Sequence, residues 1–555
     1  MKNLGKTHYL IIGIWFAINI LQSIFTGLHS DESYYWMFSQ NLEWGFFDHP
    51  PMAAFFIYLG HLILPGEIGV RLFIVLLSTT TLALILNELN EKKEHLFLAL
   101  FVFSFPLIHT HIAGFLAIPD VPLLFFTLLF LVFYKKFLEK PGWGNAIMLG
   151  IIIPAMIYSK YHAFIIVGFT VLSNLKLFKS KYFYGITVLS AALLLPHILW
   201  QIENEFPTFK YHLVERSKPF QFKYILPYIF GVLAMAGPLT GILVFWKLRK
   251  VKIQSPFQRA LLFNILGFIM LFFVMSFKNR IEAHWVAAII PMLMFLTYPL
   301  IRDDFIIRKW FKWLAIPIIA LFFLFRIYLA LDIIPNVGLL KMTFYNREAN
   351  AKEIKEMANG RKVGFFNNYA AISNYIFYTG DSAVLLSTPD YRFNQYDLWD
   401  EENFAEGEQL FAIQSKHLNP PNLTKMVTGE MKGYISIEKF QSLKNLEINW
   451  DKTVQTENEF EFFFTLINNN IHPILTEHLS EPSLAIMQDK KELASVPLKF
   501  SSEQLVISAG KDATIKISIL KTQISENSPI IFYIRSKENI RGEIASFHLN
   551  NITSL

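Results

Sequence analysis

The sequence predicts a polytopic α-helical membrane protein of about 11 crossings (range about 10–13), followed by an extracytoplasmic region that is α/β first and β-rich towards its end. Three observations predict it. The 555 residues are 53% hydrophobic and only 17% charged, against about 25% charged in an ordinary soluble domain. Apolar stretches close to the ~20 residues a helix needs to cross the hydrocarbon core follow one another from Tyr9 to Leu331 and then stop. The 50 Lys+Arg outnumber the 44 Asp+Glu, but they sit in short gaps between apolar runs. That is the pattern of a membrane protein, not of a nucleic-acid binder, so the membrane is an expected partner and nucleic acid is not. With no Cys, disulfides, thiolate metal sites and cysteine nucleophiles are excluded, while the compartment stays open.

In order, the crossings are expected at 8–27, 67–87, 96–113, 120–138, 145–159, 161–175, 183–201, 224–246, 257–276, 284–301 and 313–331. The first has the basic start and apolar centre of a signal peptide. Gly27-Leu28-His29-Ser30 after it makes a poor small-residue cleavage site, so it is read as an anchor. Alternate gaps carry the basic residues: Lys2 and Lys6; Lys92 and Lys93; Lys135, Lys136 and Lys140; Lys176, Lys179 and Lys181; Lys247 to Lys252; Arg302 to Lys312. These face the cytoplasm by the positive-inside rule. The gaps 28–66 and 111–119 have no Lys or Arg and face outward. An odd number of crossings then puts the C-terminal region outside, for a multi-pass protein of the bacterial inner membrane.

The chain divides into a membrane domain at 1–331, with interfacial helices inside 29–66, an outer α/β domain at 332–440 and a β-rich module at 441–555. In the outer α/β domain, 362–367 and 383–387 read as strands with a helix over Tyr369–Tyr378 between them. Beyond Phe460, β-forming runs separated by turn residues make up the β-rich module.

The segment with the most chemistry is 29–52, HSDESYYWMFSQNLEWGFFDHPPM. Asp31 and Glu32 lie where a membrane-surface helix begins, so each serves as a first-turn acid favoured by the helix dipole. The aromatic surround of Tyr34, Tyr35, Trp36, Trp44, Phe46 and Phe47 limits water, and a carboxylate held there can also serve as a base. Asp48-His49-Pro50-Pro51 joins an acid and an imidazole to two prolines that stop a helix. A rigid turn accounts for the prolines but not for the acid and imidazole together.

An Asp-Glu just after the first crossing and an interfacial segment ending in paired prolines resemble the bacterial branch of the dolichyl-phosphate-mannose protein mannosyltransferase family. AIPDVPLLFF at 117–126, SKYHAFII at 159–166, PHILWQIENEFPTFKYHL at 196–213, EAHW at 282–285 and RFNQYDLW at 392–399 follow in matching order. That family shares the glycosyltransferase C fold with the lipid A aminoarabinose transferases. The resemblance implies that fold, a polyprenyl phosphate-linked sugar donor of undecaprenyl type, and a lipid, envelope-glycan or protein acceptor at the periplasmic face. It implies single displacement with inversion, with Asp31 as general base, Glu32 as second choice or as a partner to acceptor or metal, and Asp120 at a second acidic position. Relatives can carry Lys where this chain has His49, which weakens the local phosphate contact because His is cationic only near or below its pKa.

The chemistry agrees with one dominant base. An acceptor hydroxyl must lose its proton as it attacks the anomeric carbon. A leaving polyprenyl phosphate is already a stable anion, met by cations and donors rather than by a carboxylic acid. The expected carrier contacts are His49, Lys160, Lys210, Arg216, Lys278, Arg280 and His284, with Arg392, Gln395 and Tyr396 rimming the site or docking the outer domain. Lys160 lies between two apolar segments, where a charge needs a partner, an anionic ligand or a route to the interface. No cofactor is required; a divalent metal stays open, since His29, Glu32, His49, His109 and His111 are available ligands without a selecting spacing. No Walker loop and no GxGxxG follows a strand, which disfavours a nucleotide-sugar donor. A transporter or flippase of a lipid-linked substrate and a non-catalytic scaffold are the alternatives.

Overall fold

The computed structural model describes residues 4–89, 94–211, 219–331, 346–387, 391–399, 401–414, 424–425, 433–442, 446–469 and the short strands at 474–475, 483–488, 491–497, 506–507, 512–520, 530–535 and 545–547. It falls into two compact units, 1–345 and 346–555.

The first unit is helical because its residues form long apolar runs whose backbone groups can be satisfied only within helices. Among the described residues, seven helices are long and apolar enough to cross a membrane: Lys6–Phe25 (α1), Gly66–Leu89 (α4), Asp120–Glu139 (α6), Lys181–Glu203 (α9), Pro256–Ser276 (α13), Ala283–Arg302 and Phe305–Leu331 (α15). The sixth begins as a 3-10 turn and becomes α-helical at Ile290–Arg302 (α14). Shorter helices lie among them: Ser30–Gln40 (α2), Met52–His61 (α3), His95–Phe103 (α5), Trp143–Ser159 (α7), His162–Ser173 (α8), the single turn Pro207–Phe209 (α10), Ile225–Met235 (α11) and Gly241–Leu248 (α12). Helix α4 packs on α1, α3 and α6; α7 packs on α6, α8 and α9; α13 packs on α8 and α14; α15 packs on α5 and α1.

Two expected crossings take a different form. The stretch 96–113 is helical only to Phe103, because Pro106 cannot continue the ladder and the chain runs irregularly to Pro119. Buried irregular backbone needs partners, and it has them. The Ala113 carbonyl accepts from Trp15 Nε1 at 2.6 Å and Asn19 Nδ2 at 2.8 Å, and the His109 carbonyl accepts from Arg326 at 2.7 Å. The stretch 224–246 breaks between α11 and α12 at Gly237, whose φ of +115° lies where only glycine sits without strain.

The second unit opens with Arg347–Ala358 (α16) and then the strand-helix-strand expected from sequence: Lys362–Phe366 (β1), Tyr369–Thr379 (α17) and Ala383–Leu386 (β2). After Gln395–Trp399 (α18) come Leu410–Gln414 (β3), Thr424–Lys425 (β4) and Gly433–Ile437 (β5). The sheet order is β2-β1-β3-β5-β4, parallel across β2, β1 and β3 and antiparallel at β5 and β4. Phe366, Leu386, Leu410, Ile435 and Phe440 are in its core. Then Leu446–Gln455 (β6), Glu459–Asn468 (β7) and the strand Asp512–Leu520 form an antiparallel sheet with β7 in the centre.

The corner between α3 and α4 brings two stretches of backbone close together at Gly69. A Cβ on Gly69 would stand 1.8 Å from the Leu64 carbonyl oxygen, which is backbone and cannot yield. Gly69→Ala is expected to cost about 1–3 kcal/mol, read as a lowered melting temperature of the detergent-solubilised protein. An unchanged melting temperature would contradict this packing.

Candidate active site

The site is built on the turn between α1 and α2. His29 caps α2: its Nδ1 accepts from the Asp31 N–H at 3.2 Å, while Glu32 reaches back to accept from the His29 N–H at 2.8 Å. This is a capping box with His in the Ser/Thr place. The carboxylate of Glu32 goes further, accepting from Arg71 Nε at 2.8 Å and Nη2 at 2.6 Å, and from the Ala117 N–H at 2.8 Å. Four accepted bonds fill its lone-pair sites. Arg71 is filled as well, since its other N–H groups donate to the carbonyls of Ser23, Thr26 and Gly27 at 3.2, 2.5 and 2.8 Å. Both side chains are fully buried, and the Arg71 guanidinium lies 5.2 Å from the centre of the Phe115 ring. Burial would raise the Glu32 pKa, but the Arg71 charge and the Ala117 and His29 donors outweigh it and hold the carboxyl below its ordinary range.

Glu32, expected as a second catalytic carboxylate or metal partner, is therefore committed to architecture. Asp31 differs although it is the adjacent residue. Its side chain is 46% exposed, with Oδ2 3.6 Å from His29 Nδ1. Successive residues on a helix point about 100° apart, so the acidic pair divides into one sealed carboxylate and one accessible carboxylate.

Asp120 opens α6 directly after Pro119, and Lys160 ends α7 in extended backbone with φ −164° and ψ 140°. Their side chains meet in a bidentate ion pair, Lys160 Nζ to the two Asp120 oxygens at 2.8 and 2.9 Å, with 7% and 6% of each side chain exposed. The partner that a buried Lys160 requires is thus Asp120. His111 and His284 stack 5.3 Å apart, and both are within electrostatic reach of this pair. His111 is also within electrostatic reach of His29, and His284 of His49.

Beside Lys160 lies a cavity of about 290 Å³. Asp48, His49, Tyr161, Thr208 and Asn279 supply its polar lining, and Phe164, Phe209, Phe272, Met275 and Trp285 its apolar wall. The loop carrying Asp48 and His49 is clamped to α9. Trp200 Nε1 donates to Glu43 at 2.6 Å, and His197 Nδ1 lies 2.6 Å from the Trp44 carbonyl. A carbonyl can only accept, so Nδ1 carries the proton and Nε2 accepts from the Tyr161 hydroxyl at 3.1 Å. Gln201 donates to the Tyr161 hydroxyl at 3.2 Å and to Thr208 at 2.9 Å, and Thr208 donates to the Phe46 carbonyl. Glu205 and Phe206, with φ of 58° and 57°, turn the chain out of α9 to bring Thr208 and Phe209 onto the cavity.

The remaining expected contacts are dispersed. Lys210 pairs with Glu205 at 2.9 Å and Arg280 with Glu282 at 3.3 Å, all largely exposed, and Lys278 is exposed on the same loop as Arg280. Arg216 lies outside the described residues. In the second unit, the Tyr396 hydroxyl is 2.8 Å from Ser373 Oγ, Arg392 lies 5.5 Å from the Tyr369 ring centre, and Gln395 is buried, so these side chains pack that unit. Among the described residues no three His, Asp or Glu side chains converge to hold a metal. His109 donates to the Phe103 carbonyl and His111 bonds Thr110, which engages two of the nitrogens considered as ligands. Sequence reasoning missed Arg71, His197 and Tyr161. A lone Arg inside the apolar run of α4 was the available signal, since a charge there demands a partner.

Residues 48–200 match the sequence family described as Dolichyl-phosphate-mannose-protein mannosyltransferase. No curated protein matches the sequence. Among solved structures, the chain is similar to ArnT from Cupriavidus metallidurans in the apo state, with a TM-score of 0.53 and 13% identity, over 77% of this chain and 97% of that one. It is equally similar to the same protein bound to undecaprenyl phosphate, with a TM-score of 0.53 and 13% identity over 78% and 98% of the two chains. At this identity the likeness establishes the fold, which is the glycosyltransferase C type.

Breaking the sealed pair should be severe. Glu32→Gln and Arg71→Met each leave a buried polar group without its partner and should cost about 3–5 kcal/mol, whereas Asp31→Asn should change stability little, since Asn fits a helix start as well as Asp. The Glu32 contribution is complete above the ordinary carboxylate pKa and is lost as pH falls through the lowered folded value. Stability of Glu32→Gln should therefore depend less on acid pH than that of the wild type. Thermal unfolding of the three variants across pH checks both statements, and equal losses in all three would contradict the division of roles.

Proposed function

We propose that this chain is a membrane glycosyltransferase that moves a sugar from an undecaprenyl phosphate-type donor to a lipid, envelope-glycan or protein acceptor, preferred in that order, at the outward face of the bacterial inner membrane. The observation that carries the reading is the accessible Asp31 carboxylate beside the sealed Glu32, on the helix whose Tyr35 ring packs 5.3 Å from His49 at the wall of a largely apolar cavity that also holds Lys160. The family match over 48–200 and the fold shared with a protein solved with undecaprenyl phosphate support it.

The acceptor hydroxyl loses its proton to Asp31 as its oxygen attacks the anomeric carbon. The bond from that carbon to the phosphate oxygen breaks, and the electron pair leaves with the polyprenyl phosphate. Displacement in one step inverts the anomeric centre. The negative charge on the phosphate meets the Lys160 end of the cavity, where His49 and Asn279 supply further donors. Because Lys160 is already neutralised by Asp120, the pair acts as an oriented dipole rather than a bare cation. The site then binds a mobile anion without trapping it. The positive-inside pattern supports an outward placement of the end that carries Asp31, Asp120 and Lys160.

Mass spectrometry of lipids and envelope glycans from cells with and without the protein should show one sugar modification lost. Restoring the gene with Asp31→Asn should leave transfer reduced by about 10²–10⁴-fold, the usual share of general-base catalysis, with the protein present at wild-type level. Wild-type transfer by that variant would overturn the assignment of the base. An unchanged profile in cells lacking the protein would overturn the enzyme reading.

A further inference from the structure

Two backbone carbonyls place the hydrogens of four side chains at the Lys160 cavity. The carbonyls of Trp44 and Phe46 can only accept, so His197 donates from Nδ1 to Trp44 at 2.6 Å and Thr208 donates its hydroxyl hydrogen to Phe46 at 3.3 Å. With Nδ1 protonated, Nε2 of the neutral ring accepts, and Tyr161 gives its only hydroxyl hydrogen to it at 3.1 Å. Towards Gln201 both hydroxyl oxygens can then only accept. That settles the orientation of the amide, whose nitrogen and oxygen have nearly the same shape: Nε2 faces Tyr161 at 3.2 Å and Thr208 at 2.9 Å. Gln201 is 2% exposed, and its Oε1 is buried with no donor among the described residues.

Tyr161 and Thr208 line the cavity, and the Asp48 carboxylate on the same lining is within electrostatic reach of Tyr161. These three side chains present lone pairs and negative charge and no hydrogen. A phosphate or a carboxylate, which also only accepts, is repelled there, whereas an O–H group is bonded. Phe209, Phe272 and Trp285 on the same lining suit the C–H face of a ring, and the volume of about 290 Å³ is close to the ~300 Å³ lower end of ligand sites, the scale of one sugar. We propose that Asp48, Tyr161 and Thr208 form an acceptor-only corner that reads the hydroxyl groups of the transferred sugar and rejects an acidic sugar. Gln201 Oε1, beside the two hydroxyls, is a third acceptor in need of a donor. The inference rests on the donor class proposed above and adds what selects its sugar. An analogue lacking the hydroxyl leaves a buried oxygen without its donor, which is how a polar site discriminates.

Affinities of the purified full-length protein would be measured for undecaprenyl phosphate, for the same lipid carrying glucose, galactose, mannose, xylose or glucuronic acid, and for monodeoxy analogues of the neutral sugar that binds best. Wild type is expected to bind that sugar-bearing lipid about 10-fold more tightly than undecaprenyl phosphate, than the glucuronic acid lipid and than at least one deoxy analogue, the scale of one net hydrogen bond. Tyr161→Phe and Thr208→Val each remove one oxygen and should bring the ratio of parent to deoxy affinity close to 1. That ratio compares two ligands on one variant, so a loss of stability does not enter it. Retention of the wild-type ratio in both variants, with both affinities lowered together, would overturn the inference, since the hydroxyls would then only hold the 41–49 loop. Wild type that binds no sugar-bearing lipid more tightly than undecaprenyl phosphate would overturn it too, leaving the donor reading standing and giving the corner to the acceptor. Wild type that binds none of these lipids would overturn the donor reading and the inference together.

Discussion

The ion pair of Glu32 and Arg71 is the constraint on which the rest of the membrane unit depends. Both groups are fully buried, where each alone would be very costly. The cost is offset only because every donor of Arg71 and every acceptor site of Glu32 is used. Those partners come from the end of α1, the cap of α2, and the irregular stretch before α6. One buried pair thereby ties together the end of α1, the turn into α2 and the irregular stretch before α6. Two of the three carry or lead directly into Asp31 and Asp120.

Arg326 is a second buried guanidinium that bonds the same irregular stretch. It bonds the His109 carbonyl and the Asn19 side chain and lies 5.2 Å from the Phe115 ring centre, as Arg71 does. Phe115 thus stands against both guanidinium groups, and the backbone at His109, Ala113 and Ala117 is bonded by side chains from α15, α1 and α2 respectively. A membrane bundle tolerates unwound backbone only when it is buried in protein in this way. Here it delivers Asp120 to Lys160 from a direction that an uninterrupted helix over 96–113 would not provide. The second clamp, of His197 and Trp200 on the 41–49 loop, does the same for His49.

Elements governed by local pattern were legible in the sequence. The strand-helix-strand at 362–386 was expected almost to the residue, because alternating apolar runs and turn residues are local signals. The same holds for most long apolar helices. The helix ending at Phe103 and the break at Gly237 were not legible, because hydropathy responds to composition and not to whether a backbone ladder continues. At the site, Asp31, Glu32, Asp120 and Lys160 all stood out as residue types in unusual places. Their pairing did not, since the contact of Glu32 with Arg71 crosses 39 positions and that of Asp120 with Lys160 crosses 40. Sequence alone could name two adjacent acids but not say which one the fold would seal.

That division between a structural and a chemical carboxylate is the central claim. Water-soluble carbodiimide with an amine reporter, followed by peptide mass spectrometry, reads carboxylate accessibility residue by residue in the purified protein with and without undecaprenyl phosphate. The account predicts labelling at Asp31 that undecaprenyl phosphate suppresses, with Glu32 and Asp120 unlabelled in both conditions. Labelling of Glu32 as readily as Asp31, or an Asp31 signal indifferent to the lipid, would contradict it.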